Sequence, residues 1–357
     1  MKNPENLHGI NRRAALKLGL GGLAALGVAP LLTACGSGDG AAASVDASSF
    51  DATENKLYDA AKKEGGSLVL YTSSNEAIIT GLSEAVKKRY GVTLEYQRLN
   101  SSELSQRYSA EKQADNLQAD VVVTGDPTLA DDWATKGWLA KLSAADVPNL
   151  ESWPQDYVTD YYAIVSINPY SMAINTTKIS DPPTDYSFLT TPDAKLVTVD
   201  LANVGLVAFP AWQVLRAEYG DEFLEQVGSQ TPVLADSGPS AVQQLASGAA
   251  AVYYPCSMTN VHDLKEQGAP VEAVFPSEGP VSGVESPAFI SEGAPHPATA
   301  KLFYYFLLTD EGQKILNEAS SSPNNVEGTP ELPANYVRPD FAAATKEKDE
   351  LISLLGM

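Results

Sequence analysis

Two loops carry the side chains best suited to gripping a small ligand. Thr72-Ser73-Ser74-Asn75 and Ser237-Gly238-Pro239-Ser240 each place hydroxyl or amide groups just ahead of a helical pattern. A helix start exposes unpaired backbone N–H groups and a partial positive charge, which favours an anion by about 0.3–2 kcal/mol. Pro suits a first helical turn, and Gly lets a ligand approach the backbone. Facing each other, two such loops would clamp a phosphate, phosphonate or carboxylate. The same serines also serve as plain helix caps, so capping alone and capping with ligand contact both stand. Further candidates are Asp126, Asp200, Asn203, Tyr254 and Glu278, with Tyr170 and Trp212 as aromatic walls. The carboxylates among them suit an amino group, sugar hydroxyls or a metal. Each also reads as a turn residue, a cap or a core aromatic.

Catalytic patterns are scarce. The chain has no G-x-S-x-G, H-E-x-x-H or C-x-x-C, and only three His and two Cys. That leaves little for a zinc or iron–sulfur site, and no catalytic group, metal or cofactor is expected. His262 beside Asp263 reads as a surface pair, and His296 between two prolines reads as structural. Gly19-Leu20-Gly21-Gly22-Leu23-Ala24 fits a phosphate-cradling pattern but follows no strand, so it is rejected.

At 357 residues the chain is long enough for two domains, and its 44% hydrophobic content excludes a mostly disordered one. The formal charge of −21 argues against nucleic acid, whose binders need Lys and Arg to displace phosphate counterions. Arg12, Arg13 and Lys17 precede the uncharged run Leu18 to Leu32, too short to span a ~30 Å hydrocarbon core comfortably; it reads as an export signal. Its end, Leu32-Thr33-Ala34-Cys35, resembles a bacterial lipobox, in which Cys35 becomes the lipid-modified first residue. Asn11-Arg12-Arg13-Ala14-Ala15-Leu16-Lys17 resembles a twin-arginine motif, although Asn and Ala replace the commoner flanking residues. Cleavage there removes four basic groups (Lys2, Arg12, Arg13, Lys17) and one acidic group (Glu5), taking the charge from −21 to −24. Residues 36–50 read as a flexible tether, with Gly, Ala and Ser dominant through Ser49. Cys256 is then unpaired and reads as a small buried hydrophobe.

The elements that must position the candidates follow from periodicity. Strands are expected at 67–71, 92–99 and 119–124, with helices at 53–63, 76–90 and 102–112. This β-α-β order implies an α/β domain with ligands at the carboxyl ends of strands. A second block follows. Strands are expected at 162–166, 172–175, 196–200, 233–234, 250–254 and 271–275, and helices at 206–219, 240–246, 257–267, 297–308 and 310–319. Two α/β lobes with a cleft between them are the natural architecture.

In this order, the lipobox, the tether and Leu68-Val69-Leu70-Tyr71-Thr72-Ser73 resemble the opening of type 2 periplasmic solute-binding proteins that feed ABC importers. Ala119-Asp120-Val121 with Gly125-Asp126, the run Leu245 to Val252, Gly268-Ala269-Pro270-Val271, Pro276-Ser277-Glu278-Gly279 and Gly293-Ala294-Pro295-His296-Pro297 extend the resemblance across about residues 50–320. The group it resembles takes ferric iron, thiamine, phosphonates and sugar phosphates. It implies a two-lobed fold with hinge crossover strands and an interlobe cleft. Lobe one would be 51–172 plus 276–357 and lobe two 173–275, with 1–35 the signal and the hinge at Met172–Asn175 and Phe275–Gly279. It further implies a lipid-anchored monomer at the outer or periplasmic face of the membrane, which binds a small solute and delivers it to an ABC permease. The expected ligand is an anionic or phosphorylated solute, with ferric iron the alternative. Iron binders of the family use an adjacent tyrosine pair, yet that position falls at Met258-Thr259, five residues past Tyr253-Tyr254. Tyr161-Tyr162 and Tyr304-Tyr305 are the other pairs. An exported hydrolase is the weaker reading.

Overall fold

The structure, a computed structural model, describes residues 45–202 and 206–357. The export signal, the lipobox with Cys35, the tether as far as residue 44, and Asn203 lie outside the described residues. No helix of the described residues is long and apolar enough to cross a membrane.

Strand β1 (Ser67–Thr72) pairs in parallel with β2 (Thr93–Arg98) and β3 (Val121–Val123). Helices α1 (Ala52–Lys63), α2 (Glu76–Tyr90), α3 (Ser101–Gln113) and α4 (Pro127–Thr135) come before, between and after them. The all-valine β3 is buried at every position, as a strand covered on both faces must be. Asn75 caps α2 by accepting from Ile78 N, and Gly91 ends it at φ 68°, a left-handed turn that favours glycine.

Strand β4 runs unbroken from Ala163 to Asn175, although Asn168-Pro169 reads in the sequence as a break. Proline is tolerated there because the strand changes partners at that point. Ala163–Pro169 pair antiparallel with β9 (Gly283–Ile290), whereas Tyr170–Ile174 pair with β7 (Val252–Ser257) and Met172–Asn175 with β8 (Val271–Val274). Gly283 is needed at the crossing, since a Cβ there would sit 2.5 Å from the Asn168 carbonyl. With β5 (Leu196–Val199) and β6 (Val233–Ala235), the order is β2-β1-β3-β9-β4-β7-β5-β6, with β8 also on β4.

The second half carries α5 (Phe209–Tyr219), α6 (Asp221–Ser229), α7 (Gly238–Ala246) and α8 (Met258–Glu266). Pro210 sits in the first turn of α5, where its missing N–H costs nothing. Helices α9 (Pro297–Leu307) and α10 (Asp310–Leu316) return to the first half. There Tyr90, Leu302, Phe303 and Phe306 join one core, and Tyr108, Trp133 and Phe289 form a second on the other sheet face. Tyr108 and Trp133 stack at 4.3 Å. Buried Asp120 accepts from His296 N at 2.6 Å and pairs with His296 Nδ1 at 2.9 Å, which gives that histidine a structural task. Cys256 is fully buried, and burial pushes its thiol well up.

Two sequence expectations need correcting. The tether does not extend to residue 50. Asp46 caps a short turn at Ala47–Ser49, and Phe50 is buried against Tyr58 and Tyr90, each 5.4 Å away between ring centres. Likewise, the chain after residue 340 does not pack with the first half. In α11 (Phe341–Lys346) and α12 (Lys348–Leu354), and at Leu355 just beyond, Ala344, Leu351 and Leu355 enter the core that holds Trp212, Leu215 and Val227. Arg216 bridges to Glu347 at 3.1 Å and Glu350 at 2.8 Å. Leu354 O lies 2.7 Å from where a Gly228 Cβ would stand, so α6 and the chain end touch backbone to backbone.

Because Leu351 is fully buried there, Leu351→Ala is expected to destabilise the protein by about 2–5 kcal/mol through lost apolar burial and a residual cavity. Urea unfolding measures this. A cost under about 1 kcal/mol would place the helix outside the core that holds Trp212.

Candidate functional site

A cleft of about 950 Å³ opens between the two halves. One wall is the first turns of α3, from Asn100 to Gln106, with Asp126 and Leu129 of the α4 start. The other is built from Val199, Leu206–Ala208, Asp236–Pro239, Tyr253, Pro255, Ser257 and Asn260, and Tyr170 on β4 lies between them. The strand–helix alternation aims four helix starts at this space.

Three of the four are capped from their own sequence. Asn100 Oδ1 accepts from Glu103 N at 2.9 Å while Glu103 Oε2 accepts from Asn100 N at 3.1 Å, a reciprocal pair that satisfies two helix-end donors. Asp126 Oδ1 accepts from Thr128 N at 3.0 Å and Thr128 Oγ1 at 2.6 Å. Ser237 Oγ accepts from Ser240 N at 3.3 Å. At α8 the cap comes from another element: Asn168 Oδ1 accepts from Met258 N at 3.0 Å, and Asn168 Nδ2 donates to Ser257 Oγ at 2.8 Å. The crossing strand therefore holds the start of a cleft helix.

The floor beneath α7 is polar. A Cβ on Gly238 would stand 2.7 Å from Asn260 Nδ2 and 3.3 Å from the Tyr253 hydroxyl, so glycine leaves both groups open to the cleft. Tyr253 is 2% exposed, and its hydroxyl makes no hydrogen bond with the described residues. Tyr170 donates to Val207 O at 2.8 Å. Burial pushes both phenols up, which keeps them protonated at neutral pH.

Of the residues singled out in the sequence, Asp126, Tyr170, Ser237 and Gly238 line the cleft. The Thr72–Asn75 loop does not. Thr72 is buried and accepts from Ser74 N at 3.0 Å, Ser73 Oγ accepts from Gly125 N at 3.1 Å, and Asn75 caps α2. That loop braces the Gly125-Asp126 turn from behind, so its hydroxyls are spent on structure. Ser240 gives its N–H to Ser237, and Asp200 accepts from Ala202 N at 3.0 Å; neither is among the lining residues. Glu278 is exposed and lies off the cleft.

Tyr254 belongs to the core, with its ring edge-on to Trp212 at 5.0 Å and Tyr186 at 5.4 Å. Trp212 is therefore a core residue and not an aromatic wall. The other tyrosine pairs are also engaged: Tyr162 donates to Asp131, Tyr304 to Ala288 O, and Tyr305 to Asp51. Among the described residues, no group of three or more His, Cys, Asp or Glu is placed to hold a metal ion.

Sequence reasoning missed the start of α3, Asp236, Tyr253, Ser257 and Asn260. The signal for α3 was readable as Asn100 followed three residues later by Glu103. Tyr253 carried none, because its neighbour Tyr254 is of the same type and only the pleat decides which ring faces the cleft.

The chain matches the bacterial extracellular solute-binding protein family over residues 81–336. No curated protein sequence matches it. Solved structures similar in fold include the following three. Iron-bound HitA from Pseudomonas aeruginosa is 20% identical, with a TM-score of 0.62 over 81% of this chain and 98% of that one. AfuA from Actinobacillus pleuropneumoniae, with fructose-6-phosphate bound, is 23% identical, with a TM-score of 0.65 over 81% and 97%. Trichodesmium IdiA (FutA), in complex with iron and citrate, is 19% identical, with a TM-score of 0.62 over 82% and 98%. These likenesses give the two halves of the sheet their place as the lobes of a periplasmic binding protein fold. The chain belongs to the bacterial extracellular solute-binding protein family, the solute-binding components of ABC-type transporters.

Proposed function

We propose that this chain is the lipid-anchored receptor of an ABC importer, with the lipid on Cys35 and a small polar organic solute in the cleft. The observation that supports this best is the cleft itself. Its volume of about 950 Å³ is that of a small-molecule site. Its walls belong to separate hydrophobic cores that share strand β4, so the lobes can close on a solute by bending at the crossings.

The helix starts suit an anionic or hydroxylated group on the solute. A free phosphate dianion is less well served, because none of the lining residues is Lys, Arg or His. Ferric iron is less well served: Tyr254 turns into the core, and the Tyr170 hydroxyl is committed to Val207 O at 2.8 Å. Hard Fe(III) prefers anionic oxygen.

A thermal-shift screen of small polar solutes is expected to find one class that raises the melting temperature. Its stabilisation should approach about 2.7 kcal/mol at a hundredfold excess over Kd, with the solute recovered intact. Conversion of the solute would replace the receptor reading by an enzymatic one. Gly238→Ala is expected to leave the unfolding midpoint nearly unchanged, since the Asn260 amide is free to swing aside, yet to weaken solute binding at least tenfold in calorimetric titration. Cys35→Ser is expected to abolish incorporation of labelled fatty acid into the chain; retained label would remove the anchor from Cys35.

A further inference from the structure

The charges lining the cleft point to a narrower class of solute. Two carboxylates line it, Asp126 from the first lobe and Asp236 from the second, with no cationic side chain among the lining residues. Asp126 has a structural task, but both bonds from Thr128 fall on Oδ1, which leaves Oδ2 unbonded. Asp236 has none. The cap of α7 is its neighbour Ser237, and the Asp236 carboxylate makes no hydrogen bond or ion pair with the described residues. Closing the lobes on an empty or anionic cleft would bring these two negative charges together while excluding the water that screens them. A cation placed between them reverses the sign of that interaction.

A second observation, independent of the acids, shows where the rest of the solute would lie. The Tyr253 hydroxyl is unpartnered on a residue only 2% exposed, and it reaches the cleft over Gly238 beside the Asn260 amide. The hydroxyl meets the open cleft with no partner from the chain, so a ligand oxygen can take the place of water there. Tyr O–H and Asn N–H₂ both donate, so the group they fit is an acceptor such as a carboxylate or carbonyl.

We infer that the cleft selects a solute with a cationic nitrogen and a compact acceptor group, as in an amino acid or ω-amino acid. The nitrogen lies between Asp126 and Asp236, and the acceptor lies on the Tyr253–Asn260 floor above Gly238. This rests on the reading of the cleft as the solute site. The cation drives closure as well as binding, because only the closed state places both carboxylates against it, and a ligand shifts an equilibrium by its differential affinity for the two states.

The test is calorimetric titration of the folded, exported chain with glycine, 4-aminobutanoate, 5-aminopentanoate, glycine betaine and 1,4-diaminobutane. Butanoate, pentanoate, fructose 6-phosphate and inorganic phosphate serve as comparison solutes. At least one nitrogen-bearing solute is expected to bind, with the matching compound that lacks nitrogen at least tenfold weaker. Asp236→Asn should weaken it at least tenfold, and Tyr253→Phe about fivefold, with unfolding midpoints close to that of the parent chain. Should either variant unfold, rising salt from 0.05 to 0.5 M on the parent chain should still weaken binding severalfold. The inference is overturned if none of the amino carboxylates binds, or if 1,4-diaminobutane, which lacks the acceptor group, binds as tightly as the best of them. It is equally overturned if butanoate, pentanoate or a phosphate binds as tightly, or if Asp236→Asn keeps full affinity. Loss of an anion's binding in Gly238→Ala would then leave the cleft reading standing and remove only the amine. Binding of any solute that Gly238→Ala does not disturb would remove the cleft reading itself.

Discussion

Everything in this molecule hangs on one strand that belongs to both lobes. From Ala163 to Pro169, β4 bonds to β9 and completes the first sheet; from Tyr170 to Asn175 it bonds to β7 and β8 and completes the second. Its register shifts between Ile164 and Ser166 and again between Ser171 and Ala173, on either side of Pro169. Irregularities of this kind bend a strand and increase its twist, so the angle between the lobes is set within a few residues. Asn168 sits at that bend and holds both Ser257 and the first N–H of α8. A change in lobe angle is thereby passed directly to a helix start that lines the cleft. The chain crosses between lobes again after residue 337: Arg338 is clamped on buried Glu285 at 2.6 Å, whereas Phe341 opens the helices that pack on α5 and α6. The last crossing is tied by an ion pair on one side and by apolar packing on the other.

The same alternation of strand and helix that builds the cores also decides what the cleft is made of. Helix starts gather at strand ends, and each must satisfy its orphan N–H groups. Most of the attractive hydroxyls and amides near the cleft are consumed by that task, as Asn100, Asp126 and Ser237 show. Groups left over are the informative ones. Tyr253 and Asp236 face the cleft, cap nothing and make no hydrogen bond or ion pair with the described residues, which is why the proposed contacts fall on them.

Much of the fold was legible from the sequence because periodicity reports burial. The bounds of α2 follow from its apolar face between Asn75 and Gly91, and the valines of β3 announce a strand covered on both sides. What escaped has physical reasons. Strand β9 contains Pro287 and a buried Glu285, both of which argue against a central strand. The proline faces a register irregularity on β4, and the glutamate is paired by Arg338, fifty-three residues away in sequence. The C-terminal helices are short, and nothing local shows which lobe they join; the small residue Gly228 that admits them lies far upstream. At the site the limit was sharper. Ser73 and Ser237 look alike in sequence, yet one is turned to brace Gly125 and the other to edge the cleft. The pleat and the loop path make that choice, and neither is written in residue type.

Net charge and local field need not agree, and in this chain they part company. The chain carries a formal charge of −21, but exposed charges more than a Debye length of about 8 Å away contribute little inside a cleft. What acts there is the short-range contest between helix starts and the two lining carboxylates. A helix start offers a fractional positive charge that fades within a turn and is worth about 0.3–1 kcal/mol for an anion at the surface. A carboxylate is a full charge, and its effect grows as closure removes water. The negative term therefore gains on the positive one as the lobes approach. On the reading proposed above, an anionic group would sit where donors are close, at the Tyr253–Asn260 floor by Gly238, and a cation between Asp126 and Asp236. A solute carrying both charges at the matching separation satisfies the two demands together; one carrying either alone leaves the other unmet.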